Sequence, residues 1–229
     1  MKPSPPHEVR EVRYGRERWE LLRRLRGKAL GPMRILQEAG LEPLLHGSVA
    51  RGDVDEKSDV DIWIPTEVRA FRVELALREA GYEFERREII MATPWQLPKA
   101  HLYLHEGPTV SFPLLKPLPS ESDFYHFGGV LNLQGMMEGR RVPGVNKKLM
   151  LIEPTREGHL ESSILGREGE VAKKLGVGLE IVRERIQVLT RRAEVGHTGV
   201  YFTRRLAPHE SFEDLLPEVI RRIRKTCRR

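Results

Sequence analysis

The sequence predicts an α+β protein in which a mixed sheet, flanked by helices, is followed by a small helical domain. Short apolar runs, several alternating with period two, occur between residues 41 and 113, and helical periodicity precedes and follows them. Beyond Pro154 helical patterns dominate. We therefore predict an N-terminal helical segment at 1–40, a sheet-containing domain at 41–155 and a C-terminal domain at 156–229.

The composition narrows the class of protein. With 39% apolar and 31% charged residues among 229, the chain has a globular profile. No apolar run approaches the roughly 20 residues of a membrane span, and the N-terminus lacks the apolar core of a signal peptide. The single cysteine, Cys227, excludes an internal disulfide and a thiolate metal site. We expect a cytoplasmic protein that does not contact a membrane.

The basic residues are clustered. The net charge of +6 is modest, but eight basic residues lie within 10–28 and six within the last ten residues. Such runs suit phosphate contact, and they are equally typical of solvated helix faces.

The first half of the chain alternates helices and strands. Residues 8–39 predict one or two helices that break or restart at Gly31-Pro32. Short strands are predicted at 42–47 and 60–64. A helix at 67–81 follows, with Phe71, Leu75 and Leu77 expected to face inward.

The next elements are a strand, a hairpin and a helix. Residues 82–90 predict the strand. Two alternating runs within 100–117 predict a hairpin that turns at Gly107-Pro108. Residues 120–142 begin with a capping sequence and are expected to continue as helix.

The stretch HGSVARGDVDEKSDVDIWI, at 46–64, combines residue types that suit phosphoryl chemistry. Gly47 and Ser48 close a strand, so backbone and hydroxyl can approach a phosphate, and Arg51 can clamp it. Asp59 and Asp61 lie two apart, so on a strand both carboxylates point to one face. Carboxylates of this kind hold Mg²⁺. The same D-x-D also occurs as two solvent-facing aspartates on an edge strand.

The combined pattern G-S-x-x-R-G…S-D-x-D resembles the nucleotidyltransferase superfamily of DNA polymerase β. The resemblance implies the nucleotidyltransferase-type mixed sheet and the transfer of a nucleoside monophosphate from an NTP to a hydroxyl. It implies Asp59 and Asp61 as catalytic residues and as ligands of Mg²⁺ or Mn²⁺. It further implies Gly47, Ser48 and Arg51 as nucleotide-binding residues.

The resemblance extends to about residue 155 and departs from the family at one position. Placing Phe127-Gly128-Gly129 on the Phe-x-Gly step of the polymerase X branch sets Ser111 where that branch has a third aspartate. A serine hydroxyl is a poor metal ligand and no base. His101, His105 and Glu106 are candidates to replace the carboxylate, and the alternation of the strand does not choose among them.

The segment after 165 resembles a winged helix-turn-helix domain. Two helical patterns flank Gly176-Val177-Gly178, and a wing is predicted at 192–203 with Arg192, His197 and Arg204 near phosphates. The second helix presents four polar side chains that suit a major groove. These are Arg183, Arg185, Gln187 and Arg191. The alternative is a helical domain used for dimerisation or internal packing.

Three functions follow as expectations. The first is a Mg²⁺-dependent nucleotidyltransferase that acts on a nucleic acid, either DNA or RNA. The second is a nucleotidyltransferase that modifies a protein. The third is a nucleotide-sensing, DNA-binding regulator with a weakened catalytic site, which Ser111 favours. The oligomeric state is not predicted.

Overall fold

A computed structural model describes residues 9–93, 96–196 and 199–226, with the backbone alone for 222–226. His197 and Cys227 lie outside the described residues. The class is α+β, as predicted. Within the described ranges, no helix has the length and apolar character needed to span a membrane.

The helices and strands alternate along the chain. The strands are β1 (Arg10–Arg13), β2 (Leu44–His46), β3 (Asp61–Trp63), β4 (Phe84–Met91), β5 (Lys99–Leu104), β6 (Thr109–Pro113), β7 (Val130–Asn132), β8 (Gly144–Val145), β9 (Met150–Thr155), β10 (Gly158–Ser163) and β11 (Phe202–Arg205). The helices are α1 (Arg16–Glu38), α2 (Ser48–Arg51), α3 (Ala70–Glu79), α4 (Pro119–Gly128), α5 (Leu133–Met137), α6 (Glu168–Leu175), α7 (Leu179–Val195) and α8 (Phe212–Thr226).

The chain divides into two compact units. The first comprises Met1–Gly27, Leu45–Val60 and Leu118–Thr198. The second comprises Lys28–Leu44, Asp61–Pro117 and Gly199–Arg229.

The first unit contains a four-stranded antiparallel sheet in the order β1-β10-β9-β8. The boundary predicted after residue 155 lies in the turn between β9 and β10, and it stays a prediction of domain organisation. The prediction of helix from residue 8 was wrong at its start, because Arg10–Arg13 pair with β10. Four residues, most of them charged, are too few for periodicity to distinguish a strand from a helix. Only the pairing with β10 identifies this segment as a strand.

One apolar core unites the helices and the sheet of the first unit. Leu149, just before β9, and Leu151, on β9, are at most 1% exposed. Val171 of α6 and Val182 of α7 are 0% exposed. Phe127 of α4 belongs to the same cluster. Helix α4 stops at Gly128 rather than continuing to residue 142 as predicted, because Gly129 takes a positive φ of 87° and β7 follows.

The second unit holds five strands in the order β11-β4-β5-β6-β3. Strand β6 runs parallel to β3 and antiparallel to β5, so the sheet is mixed, as predicted. The hairpin of β5 and β6 is confirmed. Successive residues alternate faces, and Ile62, Leu102 and Val110 on one face are 0% exposed.

Helices cover that apolar face of the second unit. Phe112 contacts Phe212 of α8 with ring centroids 6.2 Å apart. The predicted break at Gly31-Pro32 was wrong, because α1 continues through Pro32. Ala29, Met33 and Leu36 flank the proline and are 0% exposed. Burial of these side chains offsets the single hydrogen bond that a proline removes from a helix.

Two predictions about side chains and pairing need correction. Phe71 and Leu75 of α3 are 63% and 40% exposed, and the buried face is formed by Ala70, Val73 and Leu77. The predicted wing is also wrong. Residues 192–195 belong to α7, and β11 pairs antiparallel with β4 at the edge of the sheet. Helical and strand periodicity indicate which face of an element is apolar. They do not indicate which other element packs against or pairs with it.

Candidate active site

A glycine turn ends β2 and begins α2 in the first unit. Gly47 has a φ of 77°, which side chains other than glycine rarely adopt. Its N–H donates to the Gly129 carbonyl over 3.0 Å, and its own carbonyl accepts the N–H groups of Ala50 and Arg51. The turn is thereby held from both sides, with Gly47 and Ser48 half-buried at its tip.

Ser48 connects this turn to the second half of the motif. Its hydroxyl donates to the Ser58 Oγ over 3.2 Å, and that oxygen also accepts the Asp55 N–H over 2.9 Å. Asp59, the next residue along the chain, is exposed. The glycine-serine turn and the first aspartate of the D-x-D pair are therefore neighbours within one unit.

Arg51 is already bonded inside the first unit. Its guanidinium donates from Nε to Asp53 Oδ1 over 2.9 Å and from Nη2 to Asp53 Oδ2 over 3.0 Å. Nη1 donates to the Gly128 carbonyl. The residue is only 5% exposed. These contacts favour a positioning role, while the direct phosphate clamp stays a prediction.

A second buried arginine supports α2. Arg26 of α1 donates from Nε to the Val49 carbonyl over 3.1 Å and from Nη2 to the Ala50 carbonyl over 3.2 Å. Burial, with the charge of Arg141 nearby, lowers its pKa to about 10, so it stays a cation at neutral pH. Sequence reasoning missed Arg26 and Asp53, and only the R-G-D spacing after Arg51 signals the latter.

Asp61 begins β3, so Asp59 precedes the strand instead of sharing it as predicted. In the second unit, registered partners place Asp61 beside Thr109, Thr109 beside Tyr103, and Tyr103 beside Arg86. Paired residues point to the same face of a sheet. This row of four, which we call the Asp61 row, therefore lies on the face opposite the apolar one.

The residues beside Asp61 on the neighbouring strand carry hydroxyls. Thr109 is its registered partner, and Ser111 pairs with Trp63 one step further along the same face. Ser111 is 6% exposed, and its hydroxyl donates to the Ile62 carbonyl over 3.4 Å. Neither position carries a carboxylate, and the alignment of Ser111 with the family's third aspartate stays a prediction.

The three candidate replacements differ in position. His101 pairs with Ser111 and so shares the face of Asp61, whereas His105 and Glu106 lie exposed in the turn between β5 and β6. Burial, with the charge of Lys99, lowers the pKa of His101 to about 4. Its imidazole is therefore neutral at pH 7. Of the three, only His101 lies on this face.

Asp59 and Asp61 have the oxygen donors that a hard divalent cation prefers. Mg²⁺ is often held by one or two carboxylates together with substrate phosphates and waters. Val60 alone separates the two aspartates in the chain. Asp59 is exposed and Asp61 is half-buried. Across residues 9–93, 96–196 and 199–226, no group of three or more His, Cys, Asp or Glu side chains could hold a metal ion.

The four residues of α7 that were predicted to contact nucleic acid differ in their exposure to solvent. Arg183, Gln187 and Arg191 are exposed on α7. Arg185 instead lies over the Phe124 ring, 5.0 Å from its centroid. Burial and the charge of Arg192 lower its pKa. A turn at Gly176, with a φ of 66°, separates α6 from α7, and the assignment of this pair as a DNA-binding helix-turn-helix stays a prediction.

Comparison with known families supports the assignment of the motif. The family model of the nucleotidyltransferase domain matches residues 34–101, which include both halves of the pattern. No curated protein matches the chain. The match supports the nucleotidyltransferase superfamily and a transferase activity in general.

Proposed function

We propose that the protein is a Mg²⁺-dependent nucleotidyltransferase that moves a nucleoside monophosphate from an NTP to a hydroxyl of a nucleic acid. The observation that carries this proposal is the hydrogen bond between Ser48 and Ser58. It joins the glycine-serine turn to the S-D-x-D segment inside the region that matches the family model.

Each part of the motif has a chemical task. The N–H and hydroxyl of Ser48 would bind the triphosphate, and Gly47, which lacks a side chain, would let a phosphate approach the turn closely. The buried Arg51–Asp53 pair would hold that turn in place. Asp59 and Asp61 would hold the cation, since two residues of chain span at most about 7 Å. When bound, Mg²⁺ lowers the pKa of the attacking hydroxyl and neutralises the leaving pyrophosphate.

The hydroxyl side chains beside Asp61 favour a second candidate function. With Thr109 and Ser111 where a third carboxylate would be expected, the chain has no anionic base there. A nucleotide-sensing regulator would need to bind an NTP without transferring it. Both aspartates nevertheless remain, and a site that only senses nucleotide has little need for paired metal ligands.

The experiment is a transfer assay with labelled NTPs. Purified protein is incubated with each NTP, Mg²⁺ or Mn²⁺, and separate pools of RNA, DNA and cell-extract protein. The double variant Asp59→Asn/Asp61→Asn is compared with Glu56→Gln, an exposed acid of the same loop. Transfer to nucleic acid that survives in Glu56→Gln and is lost in the double variant is the expected result.

Other outcomes assign the chain to the alternatives. Label on protein alone would overturn the nucleic-acid acceptor and favour the protein-modifying enzyme. NTP binding without transfer to any pool would overturn the enzyme and favour the regulator.

A further inference from the structure

A groove of about 880 Å³ lies against β4 and β11, entirely within the second unit. Its lining includes four arginines and two glutamates, Glu83 and Glu85. Of the arginines, Arg78 and Arg205 are exposed and Arg86 is half-buried. A fourth arginine, Arg87, is buried and bonded to Glu74 and three backbone carbonyls, so it serves the fold.

The accessible guanidinium groups are held in place by neighbours. Arg86 lies over the Tyr103 ring, with its central carbon 3.6 Å from the ring centroid, and Arg78 lies 5.0 Å from that of Phe84. Arg205 donates to the Glu85 carbonyl over 3.5 Å. The side chains of Arg86 and Arg78 keep 35% and 56% of their surface exposed. A ligand therefore meets cations whose orientation is already restricted.

An irregularity of β4 determines which face Arg86 occupies. Phe84 pairs with Leu104, and Arg86 pairs with Tyr103, so Glu85 is an extra residue on β4. A bulge of this kind redirects the side chains that follow it, and bulges are common next to active sites. Here it sets Arg86 on the same face as Asp61. Without the bulge, Arg86 would pair with the buried Leu102 and point to the apolar face.

The Asp61 row fixes the separation between this cation and the candidate metal ligand. Arg86 and Asp61 lie three strand positions apart, which corresponds to about 14 Å at the usual strand spacing. At about 3.4 Å per stacked nucleotide, a single strand covers that distance with about four nucleotides.

Carboxylates lie beside two of the accessible arginines, and Arg78 Nη2 is 3.9 Å from Glu74. Arg86 Nε lies 3.4 Å from Glu88 and Nη1 lies 3.7 Å from Glu85. Exposed ion pairs of this kind contribute little net free energy, because water screens both charges. Bidentate contacts between arginine and phosphate are stronger and geometrically specific. The phosphates of a single-stranded nucleic acid can therefore displace these carboxylates from the arginine side chains.

We propose that this groove binds backbone phosphates of a single-stranded acceptor, about four nucleotides from the hydroxyl that reacts at Asp61. The inference rests on the proposed nucleotidyl transfer and names its acceptor. Nucleic acid fits better than an acidic protein segment, because a planar guanidinium can both donate hydrogen bonds to phosphates and stack on the faces of bases. None of the exposed arginines of α7 is among the residues that line the groove.

Binding of labelled oligonucleotides to the full-length protein, followed by fluorescence anisotropy without NTP, tests the groove. Arg86→Gln should weaken binding of a 12-nucleotide RNA or DNA about tenfold and lower the slope of log K against log salt by about 0.7. Arg205→Gln should act in the same direction. Arg204→Gln is the matched control, since Arg204 pairs with Ile89 and its side chain bonds Glu210 away from this face.

Length and stacking give two further readouts. Wild-type affinity should rise with oligonucleotide length up to and beyond about four nucleotides, and Arg86→Gln should flatten that rise. Tyr103→Leu removes the ring under Arg86 and should resemble Arg86→Gln. Tyr103→Phe keeps the ring but loses the hydrogen bonds of the phenol with Arg86 and Glu88, so it should weaken binding less than Tyr103→Leu does.

The binding assay is independent of catalysis, so the two proposals can fail separately. The assay contains neither NTP nor metal, so weakened binding in Arg86→Gln and lost transfer in Asp59→Asn/Asp61→Asn are separate results. Equal weakening by Arg204→Gln and Arg86→Gln would overturn the groove, as would competition by inorganic phosphate at the same phosphate concentration. Displacement of the RNA by polyglutamate, with equal sensitivity to Arg86→Gln, would overturn it in favour of an acidic protein.

Discussion

The guanidinium of Arg51 and the carboxylate of Asp53 form a two-bond ion pair, with Nε 2.9 Å from Oδ1 and Nη2 3.0 Å from Oδ2. Their side chains are 6% and 10% exposed. The remaining edge of the guanidinium donates to Gly128 at the end of α4. The pair therefore connects the loop after α2 to the backbone that also accepts the Gly47 N–H at Gly129. One buried cation thus restrains the turn proposed to bind the triphosphate.

Replacing Asp53 with asparagine should destabilise the protein and weaken nucleotide use. Breaking a buried pair leaves an uncompensated charge, which costs about 3–5 kcal/mol. We expect the free energy of unfolding in urea to fall by that order, and the KM for NTP to rise at temperatures where the variant is still folded.

Exposed Glu56, three residues along the same loop, provides the comparison. Glu56→Gln should leave both the urea midpoint and the KM unchanged. An Asp53→Asn variant as stable as Glu56→Gln would show that the pair does not restrain the turn.

Alanine at Gly144 should lower stability, because a Cβ there would lie 2.7 Å from the Gly129 nitrogen and 2.8 Å from the Gly128 carbonyl carbon. Backbone atoms cannot rotate away, so we expect a loss of about 1–3 kcal/mol. Gly169, at the start of α6, has open space around its added Cβ. Gly169→Ala should instead raise the melting temperature, since alanine favours helix by up to about 1 kcal/mol.

Removing the Ser58 hydroxyl should reduce nucleotidyl transfer more than stability. Ser58→Ala loses the bond from Ser48 and the bond from the Asp55 N–H. A neutral hydrogen bond contributes about 1 kcal/mol, so a fall in kcat/KM of about fivefold to tenfold is expected. Ser211→Ala is the control, since Ser211 caps α8 and its loss should lower the melting temperature without changing kcat/KM. Equal activity losses in the two variants would contradict this role for Ser58.

Stability should fall as the pH drops from about 6.5 towards 4. His101 has a folded-state pKa of about 4, lowered from 6.5 mainly by burial, so the unfolded chain takes up its proton first. The contribution is fully present above about pH 6.5 and decreases below it, by at most about 3 kcal/mol. Urea unfolding at several pH values measures this slope.

Burial also lowers the pKa of His159, so the wild-type slope contains both groups. The His101 share is the difference between wild type and His101→Gln, which should show a shallower slope. The exposed His209 serves as the control, and His209→Gln should keep the wild-type slope. A slope unchanged in His101→Gln would place the acid sensitivity elsewhere.

Local patterns in the sequence were sufficient for several elements and for the motif. Apolar alternation predicted the hairpin of β5 and β6, and the segment around Gly176 predicted the α6–α7 turn. The pattern that includes Gly47, Ser48, Asp59 and Asp61 resembles the nucleotidyltransferase motif, and the family match at residues 34–101 supports that resemblance. These features depend on residues close in the chain, where covalent geometry limits the possible arrangements.

Features that depend on distant partners could not be predicted in this way. The strand at Arg10–Arg13 exists through pairing with β10, and β11 joins β4 instead of forming a wing. Arg185 has helical spacing typical of an exposed contact, yet it lies over Phe124. Periodicity measures the polarity of a face, whereas these outcomes depend on which surfaces become buried together.

Taken alone, the sequence determined which residue types are available for chemistry, namely a Gly-Ser pair and two aspartates, and by family resemblance it predicted a serine at the position of a third carboxylate. Only the tertiary structure decided that Arg51 is bonded to Asp53, that Thr109 is the residue beside Asp61, and that a bulge sets Arg86 on the face of Asp61. The physical reason is that strand register and ion pairing are selected by burial of the whole core, which no short segment specifies by itself.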